Sequence, residues 1–389
     1  MEVRLKGLTW DHPRGYAPLV AGAREYKQSH PGVEIQWDRR TLREFGEAPI
    51  AQYVDRYDLI IVDHPFVGFA AAHDVLVDFA PHVNQTERDA FARDSVGPSW
   101  NSYWYAEGLW ALPVDAATQV SSYRPDLLGV LSAEPPQTFD EVLRLSAKAR
   151  AQGKSIAVPA WPTDAISLTF TVSANLGYPV SESAELFLDN NVAKEVFSLL
   201  HMLIAASHPK SVELNPIQVY DFMTSSSDVV YCPWGFGYSN YSRRGQKQIL
   251  KFTDTPAAGK IGCAGTMLGG TGVAVTKSCK HRNEALAYAK WLASAEHQRG
   301  AYFSEGGQPA SLAAWTDPAN DAEANEFFSG TLATLQSAYV RPRFDGFVRF
   351  FESAGLAINR CLRGDLADQE LIDLLNKQFA ASRAWAPKA

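Results

Sequence analysis

Cysteine is scarce in this sequence, and none of it lies in a recognisable motif. The four cysteines are Cys232, Cys263, Cys279 and Cys361. No pair has the spacing of a zinc ligand pair or of a Cys-x-x-Cys redox motif. We expect buried free thiols, as is usual for isolated cysteines. This favours a reducing compartment, although Cys263 and Cys279 could form a disulfide in an oxidising one.

Long basic and long apolar runs are also missing. The formal net charge is -7, and no basic run exceeds the pairs Arg39-Arg40 and Arg243-Arg244. A nucleic-acid-binding surface is therefore not expected. No stretch approaches the ~20 apolar residues of a membrane span. The first ten residues lack the apolar core and cleavage site of a signal peptide, so either a leader was removed or the protein stays in the cytoplasm.

Known catalytic motifs are absent as well. There is no nucleophile elbow, kinase signature set or zinc-ligand spacing. The segment Gly269-Gly270-Thr271-Gly272 is not a phosphate loop, because no Lys-Ser/Thr follows it at the Walker spacing. We expect no catalytic residue, no metal and no cofactor.

The 389 residues are enough for two domains with separate cores. The first 62 residues alternate predicted strands and helices, which favours a parallel α/β sheet with ligands beyond the carboxyl ends of its strands. The segments are strand 3–10, helix 16–30, strand 33–37, a mostly helical stretch 42–57 with a break near Pro49, and strand 58–62. Residues 76–79 are predicted to form a short edge segment, and residues 323–383 are predicted to be mainly helical.

Residues 107–128 are predicted to carry the chain from one domain to the other. Trp110, Leu112 and Val114 alternate as in an extended segment. Pro113 argues against a regular central strand there, because it cannot donate a ladder hydrogen bond. Further on, Thr138 and Glu141 have the spacing of a capping box at a helix start.

Five sets of segments follow a recognisable order along the chain: Gly108 to Pro113 with Asp126-Leu127-Leu128, Pro135 to Glu141, Gly269 to Ser278 with Ala293 to Gln298, Gly306 to Ala310, and Arg341-Pro342-Arg343. In this order they resemble family 1 extracellular solute-binding proteins, the maltose-binding-protein-like receptors of ABC sugar importers. The chain departs from the family pattern at Ser122 to Pro125 and at Ser225 to Asp228. The ligand therefore need not be an ordinary oligosaccharide.

The resemblance implies a two-lobe α/β periplasmic-binding-protein fold of type II, with a ligand cleft between the lobes and a hinge of three crossings. The N-terminal lobe would comprise residues 1–112 and 266–312, and the C-terminal lobe residues 113–265 and 313–389. It further implies a monomer that captures a small polar, carbohydrate-like solute for the permease subunits of an ABC importer and closes on it by hinge motion. The location would be periplasmic or extracytoplasmic.

The alternative is a cytoplasmic enzyme or ligand sensor on the same fold, using the two Asp-His pairs. Asp11-His12-Pro13 and Asp63-His64-Pro65 each follow a predicted strand, and proline favours an extended residue before it. One side chain of each pair could face the ligand. Equally, each Asp could cap the following turn while its His packs beneath.

Arg14, near the start of a predicted helix, could hold a carboxylate or a phosphate, or could be solvated. Aromatic residues at predicted strand ends could stack on a sugar ring, although most aromatic residues form cores. The predicted ligand-binding residues are Trp10, Asp11, His12, Arg14, Asp63, His64, Asp115, Trp161, Trp234, Phe236, Gly270 and Thr271.

Overall fold

The computed structural model describes residues 2–47 and 50–384. The chain divides into two compact units, each built from three segments. Unit 1 contains the residues up to Ala116, Gly269–Asn320 and Arg343–Asp345. Unit 2 contains Ala117–Leu268, Asp321–Pro342 and the residues from Gly346 onward. Among the described residues, no helix has both the length and the apolar character needed to cross a bilayer.

Strands and helices are both abundant, so the fold is mixed α/β. The strands are β1 (Val3–Trp10), β2 (Val33–Arg40), β3 (Leu59–Val62), β4 (Trp104–Tyr105), β5 (Gly108–Leu109), β6 (Leu112–Tyr123), β7 (Ser155–Ile156), β8 (Val229–Phe236), β9 (Lys251–Thr253) and β10 (Leu268–Val275). The helices are α1 (Pro13–Ser29), α2 (Leu42–Glu47), α3 (Val67–His73), α4 (Gln85–Asp94), α5 (Ser99–Ser102), α6 (Pro125–Val130), α7 (Phe139–Arg150), α8 (Pro162–Asn175), α9 (Asn190–Ala206), α10 (Pro216–Ser225), α11 (Arg282–Leu292), α12 (Ala295–His297), α13 (Leu312–Trp315), α14 (Pro318–Glu323), α15 (Phe327–Gln336), α16 (Phe347–Leu362) and α17 (Asp368–Arg383).

The sheet of unit 1 has the strand order β2-β1-β3-β10. β1 pairs in parallel with β2 along its full length and with β3 at Gly7 and Leu8. β10 runs antiparallel to β3, with Gly272 opposite Val62. All four residues of β3 have no exposed surface, because the strand is central and covered on both faces. The predicted strands in this region are confirmed.

Helix α1 begins at Pro13, three residues before its predicted start at Tyr16. His12 is the N-cap, and its side chain accepts a hydrogen bond from the backbone N–H of Arg14. Pro13 suits the first helical position, where its missing N–H has no partner to lose. The apolar stripe of Leu19, Ala23 and Tyr26 is buried, as its helical spacing predicts.

Strand β6 contradicts the expectation that Pro113 breaks the strand pairing. It runs without interruption from Leu112 to Tyr123, and every residue before Tyr123 is buried. Pro113 is only the second residue, and proline is tolerated near the start of a strand. Its carbonyl accepts a hydrogen bond from Nε2 of Gln298 at 3.1 Å. Residues 76–79 form no regular strand. Leu76 makes an isolated bridge to Thr276, and the backbone N–H groups of Val77 and Phe79 donate to the carbonyls of Val275 and Leu109.

The sheet of unit 2 has β6 paired antiparallel with both β8 and β9, while β7 runs parallel to β8. Helices α8, α9, α16 and α17 pack against one another. Phenylalanine rings fill this helical layer: Phe170 lies 5.3 Å from Phe187 and 6.0 Å from Phe351, centroid to centroid. A cluster of aromatic rings therefore lies within this helical layer.

The predicted capping box at the start of α7 is half formed. Oγ1 of Thr138 accepts from the backbone N–H of Glu141 at 3.3 Å, as expected. The carboxylate of Glu141 accepts instead from the N–H of Gln137 at 2.8 Å, one residue before the cap. The helix start is still capped by both side chains.

Candidate functional site

One edge of the unit 1 sheet brings several of the predicted site residues together. β1 and β3 are parallel neighbours, so the residues that follow Trp10 and Val62 lie at the same edge. β10 enters at that edge, because Gly272 is opposite Val62. Thr271 therefore lies beside the end of β3. Ligands of α/β sheets bind at such carboxyl ends.

Arg14 and Asp115 form a buried ion pair at this edge. Nε of Arg14 donates to Oδ2 of Asp115 at 2.7 Å, and Nη2 donates to Oδ1 at 2.6 Å. Arg14 is 3% exposed and Asp115 2%. Burial raises the pKa of Asp115, and the Arg14 guanidinium opposes that rise. Arg14 thus binds the carboxylate of Asp115, from β6 of the same unit, and is not solvated. Contact of either residue with a ligand stays a prediction.

The first Asp-His pair divides its two side chains between solvent and the helix start. Asp11 is exposed, and its carboxylate accepts from Nη1 of Arg39 at 2.9 Å. Nδ1 of His12 accepts from the N–H of Arg14 at 3.1 Å. Burial and the charge of Arg14 lower the pKa of His12 to about 4. His12 is therefore neutral at pH 7, which suits its role as a hydrogen-bond acceptor at the cap.

The second Asp-His pair has the alternative arrangement, in which the aspartate caps the following turn and the histidine packs beneath it. Oδ1 of Asp63 accepts from the N–H of His64 at 2.8 Å and caps a short 3-10 helix, His64–Phe66. His64 is 1% exposed, with Nδ1 3.1 Å from the same oxygen of Asp63. Asp63 therefore caps the turn, and the His64 ring packs beneath it.

Gly270 and Thr271 complete this edge. Gly270 has φ of +100°, and a Cβ there would lie 2.3 Å from the carbonyl oxygen of Asp115. Only glycine fits such an approach without strain. Thr271 is 4% exposed, and its Oγ1 has no hydrogen-bond partner among the described residues. A buried hydroxyl without a partner is unusual and is a candidate ligand group.

Trp10 lies beneath this edge rather than on it. It is 4% exposed, and its ring centroid is 5.1 Å from that of Phe45. A Cβ at Gly15 would lie 2.2 Å from the indole ring, so the first turn of α1 rests directly on Trp10. We interpret the ring as core packing, and its contact with a ligand stays a prediction.

The predicted aromatic residues of unit 2 differ strongly in exposure. Trp161, at the N-cap position of α8, is 43% exposed. Trp234 is fully buried, with its ring 6.1 Å from Phe139 and nearly parallel to it. Its Nε1 has no hydrogen-bond partner among the described residues. Trp161 therefore offers an exposed ring face in unit 2, and the buried Trp234 does not. Phe236 is partly exposed.

Sequence reasoning missed Asp164, in the first turn of α8. It is 6% exposed, and burial alone raises its pKa to about 8. No lysine, arginine or histidine pairs with it in the described part of the chain. Burial raises the pKa values of Tyr220 and Cys232, and the ionised form of Asp164 adds to both rises. An Asp at a helix start usually signals an exposed partner of the helix dipole, so the sequence carried no sign of this burial.

Solved structures share the fold over nearly the whole chain. Maltose-bound T. maritima MalE3 is 15% identical, with 97% of this chain and 98% of that chain covered and a TM-score of 0.81. An ABC transporter solute-binding protein from Agrobacterium radiobacter K84 in complex with ribitol is 19% identical, with 98% of this chain and 99% of that chain covered and a TM-score of 0.78. An ABC transporter solute-binding protein from Thermotoga lettingae TMO bound with α-D-tagatose is 15% identical, with 98% of this chain and 100% of that chain covered and a TM-score of 0.81.

No curated protein sequence matches the chain. At these low identities the solved structures show the fold alone. Membership of a family has to be tested by a match to the family's sequence model. The model for the bacterial extracellular solute-binding protein family matches residues 9–299, most of the chain. The chain therefore belongs to the bacterial extracellular solute-binding protein family.

Proposed function

We propose that this solute-binding protein captures a small polyhydroxylated solute, a sugar or a sugar alcohol, and delivers it to the permease subunits of an ABC importer. The observation that carries the proposal is the family match over residues 9–299. The similar proteins from T. maritima, A. radiobacter and T. lettingae were solved with maltose, ribitol and α-D-tagatose. The family description, which is extracellular, supports a location outside the cytoplasm. We propose further that the protein acts as a monomer and releases its solute unchanged.

Polar groups in each unit suit a ligand rich in hydroxyl groups. In unit 1, Oγ1 of Thr271 is buried without a partner and can both donate and accept. In unit 2, Asp164 is protonated at neutral pH, so its carboxyl can donate a hydrogen bond as well as accept one. The exposed ring of Trp161 suits the CH face of a sugar ring.

Acid-base catalysis by the first Asp-His pair has less support. A general base works best with a pKa near the operating pH. The pKa of His12 is about 4, and its Nδ1 is occupied at the cap of α1. The geometry at His12 therefore supports binding and helix capping rather than turnover.

A thermal-shift panel is expected to identify the solute class. Maltose, ribitol and D-tagatose would be compared with glycine and glutamate as non-carbohydrate controls. A ligand at 100 times its dissociation constant should add ~2.7 kcal/mol to the free energy of unfolding. If the amino acids stabilise the protein and no carbohydrate or polyol does, the proposed solute class is wrong. NMR of the incubated ligand provides a second check, since conversion of the solute would point to an enzyme.

Replacing Thr271 by Val is expected to weaken binding of the solute found in that panel while leaving stability unchanged or slightly higher. Removing a buried hydroxyl that lacks a partner costs little in the protein alone, whereas a lost neutral hydrogen bond to the solute costs about 0.5–1.5 kcal/mol. Affinity would be measured by isothermal titration calorimetry and stability by urea unfolding.

Thr9→Val is the matched control for this prediction. Oγ1 of Thr9 donates to the carbonyl of Gly15 at 2.7 Å, so this variant should lose stability and keep its affinity. Unchanged affinity in Thr271→Val would show that the Thr271 hydroxyl does not bind the solute.

A further inference from the structure

Three side chains that can bind a metal converge in unit 2, and none of them is among the predicted ligand-binding residues. They are His201 on α9, Cys361 on α16 and Asp368 at the start of α17. Nε2 of His201 lies 2.8 Å from Oδ1 of Asp368 and 3.8 Å from Sγ of Cys361. The same Oδ1 lies 3.2 Å from Sγ. More than 150 residues separate His201 from the other two, so no sequence motif announces the cluster.

These distances are close to the edges of a tetrahedral zinc site. Zinc binds sulfur at about 2.3 Å and nitrogen or oxygen at about 2.0–2.2 Å, so neighbouring ligand atoms are about 3.3–3.6 Å apart. The observed separations of 2.8, 3.2 and 3.8 Å differ from those values by about half an ångström or less. Small rotations of the side chains suffice to place the three atoms around one ion.

The burial pattern gives an ion a route from solvent. The side chains of His201 and Asp368 are 37% and 48% exposed. Cys361 is 1% exposed and lies beneath them. An ion would therefore enter past the imidazole and the carboxylate and meet the sulfur at the base of the site, with a fourth position open to water.

We propose that His201, Cys361 and Asp368 form a binding site for a zinc-class divalent ion. A thiolate with an imidazole selects zinc over magnesium and calcium, which prefer oxygen ligands. On binding, the thiol proton of Cys361 passes to solvent and the sulfur–metal bond forms, with no change of oxidation state. The site joins α9, α16 and α17, so the bound ion stabilises unit 2 by linking three helices that already pack together.

Cobalt(II) is the probe for this site, because it reports thiolate binding through a charge-transfer absorption in the near ultraviolet. We expect one equivalent of Co²⁺ to produce this band in the reduced protein, Zn²⁺ to remove it, and Zn²⁺ to raise the melting temperature. Cys361→Ser should abolish the band. Cys263→Ser, which removes a partly exposed thiol outside the cluster, should keep it.

His201→Gln provides a test that does not depend on the buried cysteine tolerating substitution, because the His201 side chain is partly exposed. We expect it to keep the fold, as judged by circular dichroism, and to weaken Co²⁺ binding tenfold or more. Three outcomes would overturn the proposal: no charge-transfer band in the wild type, a band that Cys263→Ser removes, or unchanged Co²⁺ affinity in His201→Gln. Unchanged affinity in His201→Gln would mean that the three side chains form a hydrogen-bonded cluster and not a metal site.

Discussion

Replacing Asp115 by Asn is expected to lower the free energy of unfolding by about 3–5 kcal/mol, the usual cost of removing one partner of a buried ion pair. Both hydrogen bonds of the pair are short, and both side chains are almost fully buried. The Arg14 guanidinium would remain in the interior without its carboxylate. Urea unfolding followed by tryptophan fluorescence and circular dichroism measures the loss.

The exposed pair of Asp11 and Arg39 supplies the matched control. Asp11→Asn should cost no more than about 1 kcal/mol, because exposed ion pairs contribute little. The double replacement Arg14→Met with Asp115→Leu should recover much of the stability, since it removes both buried charges. If Asp115→Asn costs no more than Asp11→Asn, the pair does not stabilise unit 1.

Replacing Asp164 by Asn is expected to stabilise the protein, with a gain that grows with pH. Burial raises the folded-state pKa of Asp164 to about 8, against an ordinary value of 3.8. Between these values the unfolded chain is ionised and the folded chain holds a proton, so wild-type stability falls as pH rises. The variant avoids this loss, which is on the order of 4 kcal/mol near pH 7.

The pH dependence distinguishes this account from a general effect of the substitution. Well below pH 3.8 the carboxyl is protonated in both states, so wild type and variant should unfold at similar urea concentrations. At pH 6 and pH 8 the variant should be increasingly more stable. Asp140→Asn, at an exposed position in α7, should show no such trend. A difference between wild type and Asp164→Asn that stays constant from pH 4 to pH 8 would contradict the prediction.

Local patterns predicted the strands and the first helix of unit 1. Of the helical stretch predicted over 42–57, only α2 (Leu42–Glu47) and a short 3-10 helix (Ile50–Gln52) are helical, and the predicted break near Pro49 lies outside the described residues. The apolar runs of β1 and β3 and the buried stripe of α1 were visible because strand and helix periods depend on neighbouring residues. The family and the two-lobe α/β fold class predicted from the ordered motifs are confirmed. Pro113 was misread because the rule against proline in strands applies to strand interiors, and β6 begins only one residue before it.

The candidate site was harder to predict, since it depends on residues far apart in the chain. The sequence identified Arg14 and Asp115 separately, but nothing local shows that they bind each other across 101 positions. The two Asp-His-Pro tripeptides look identical, yet His12 caps in one and Asp63 in the other. Burial of Asp164 and the convergence of His201, Cys361 and Asp368 arise from the packing of helices, which no local pattern records.

The place of β10 in the unit 1 sheet has a consequence for synthesis on the ribosome. β3 ends at Val62, and its neighbour on one side, β10, begins 206 residues later at Leu268. At about 5–20 residues per second, a ribosome needs roughly 10–40 s to make that stretch. For that time β3, four consecutive apolar residues, is an unpaired edge of the kind that attracts other strands. We expect nascent chains of this protein to depend on chaperone protection from the emergence of Val62 until β10 has left the exit tunnel.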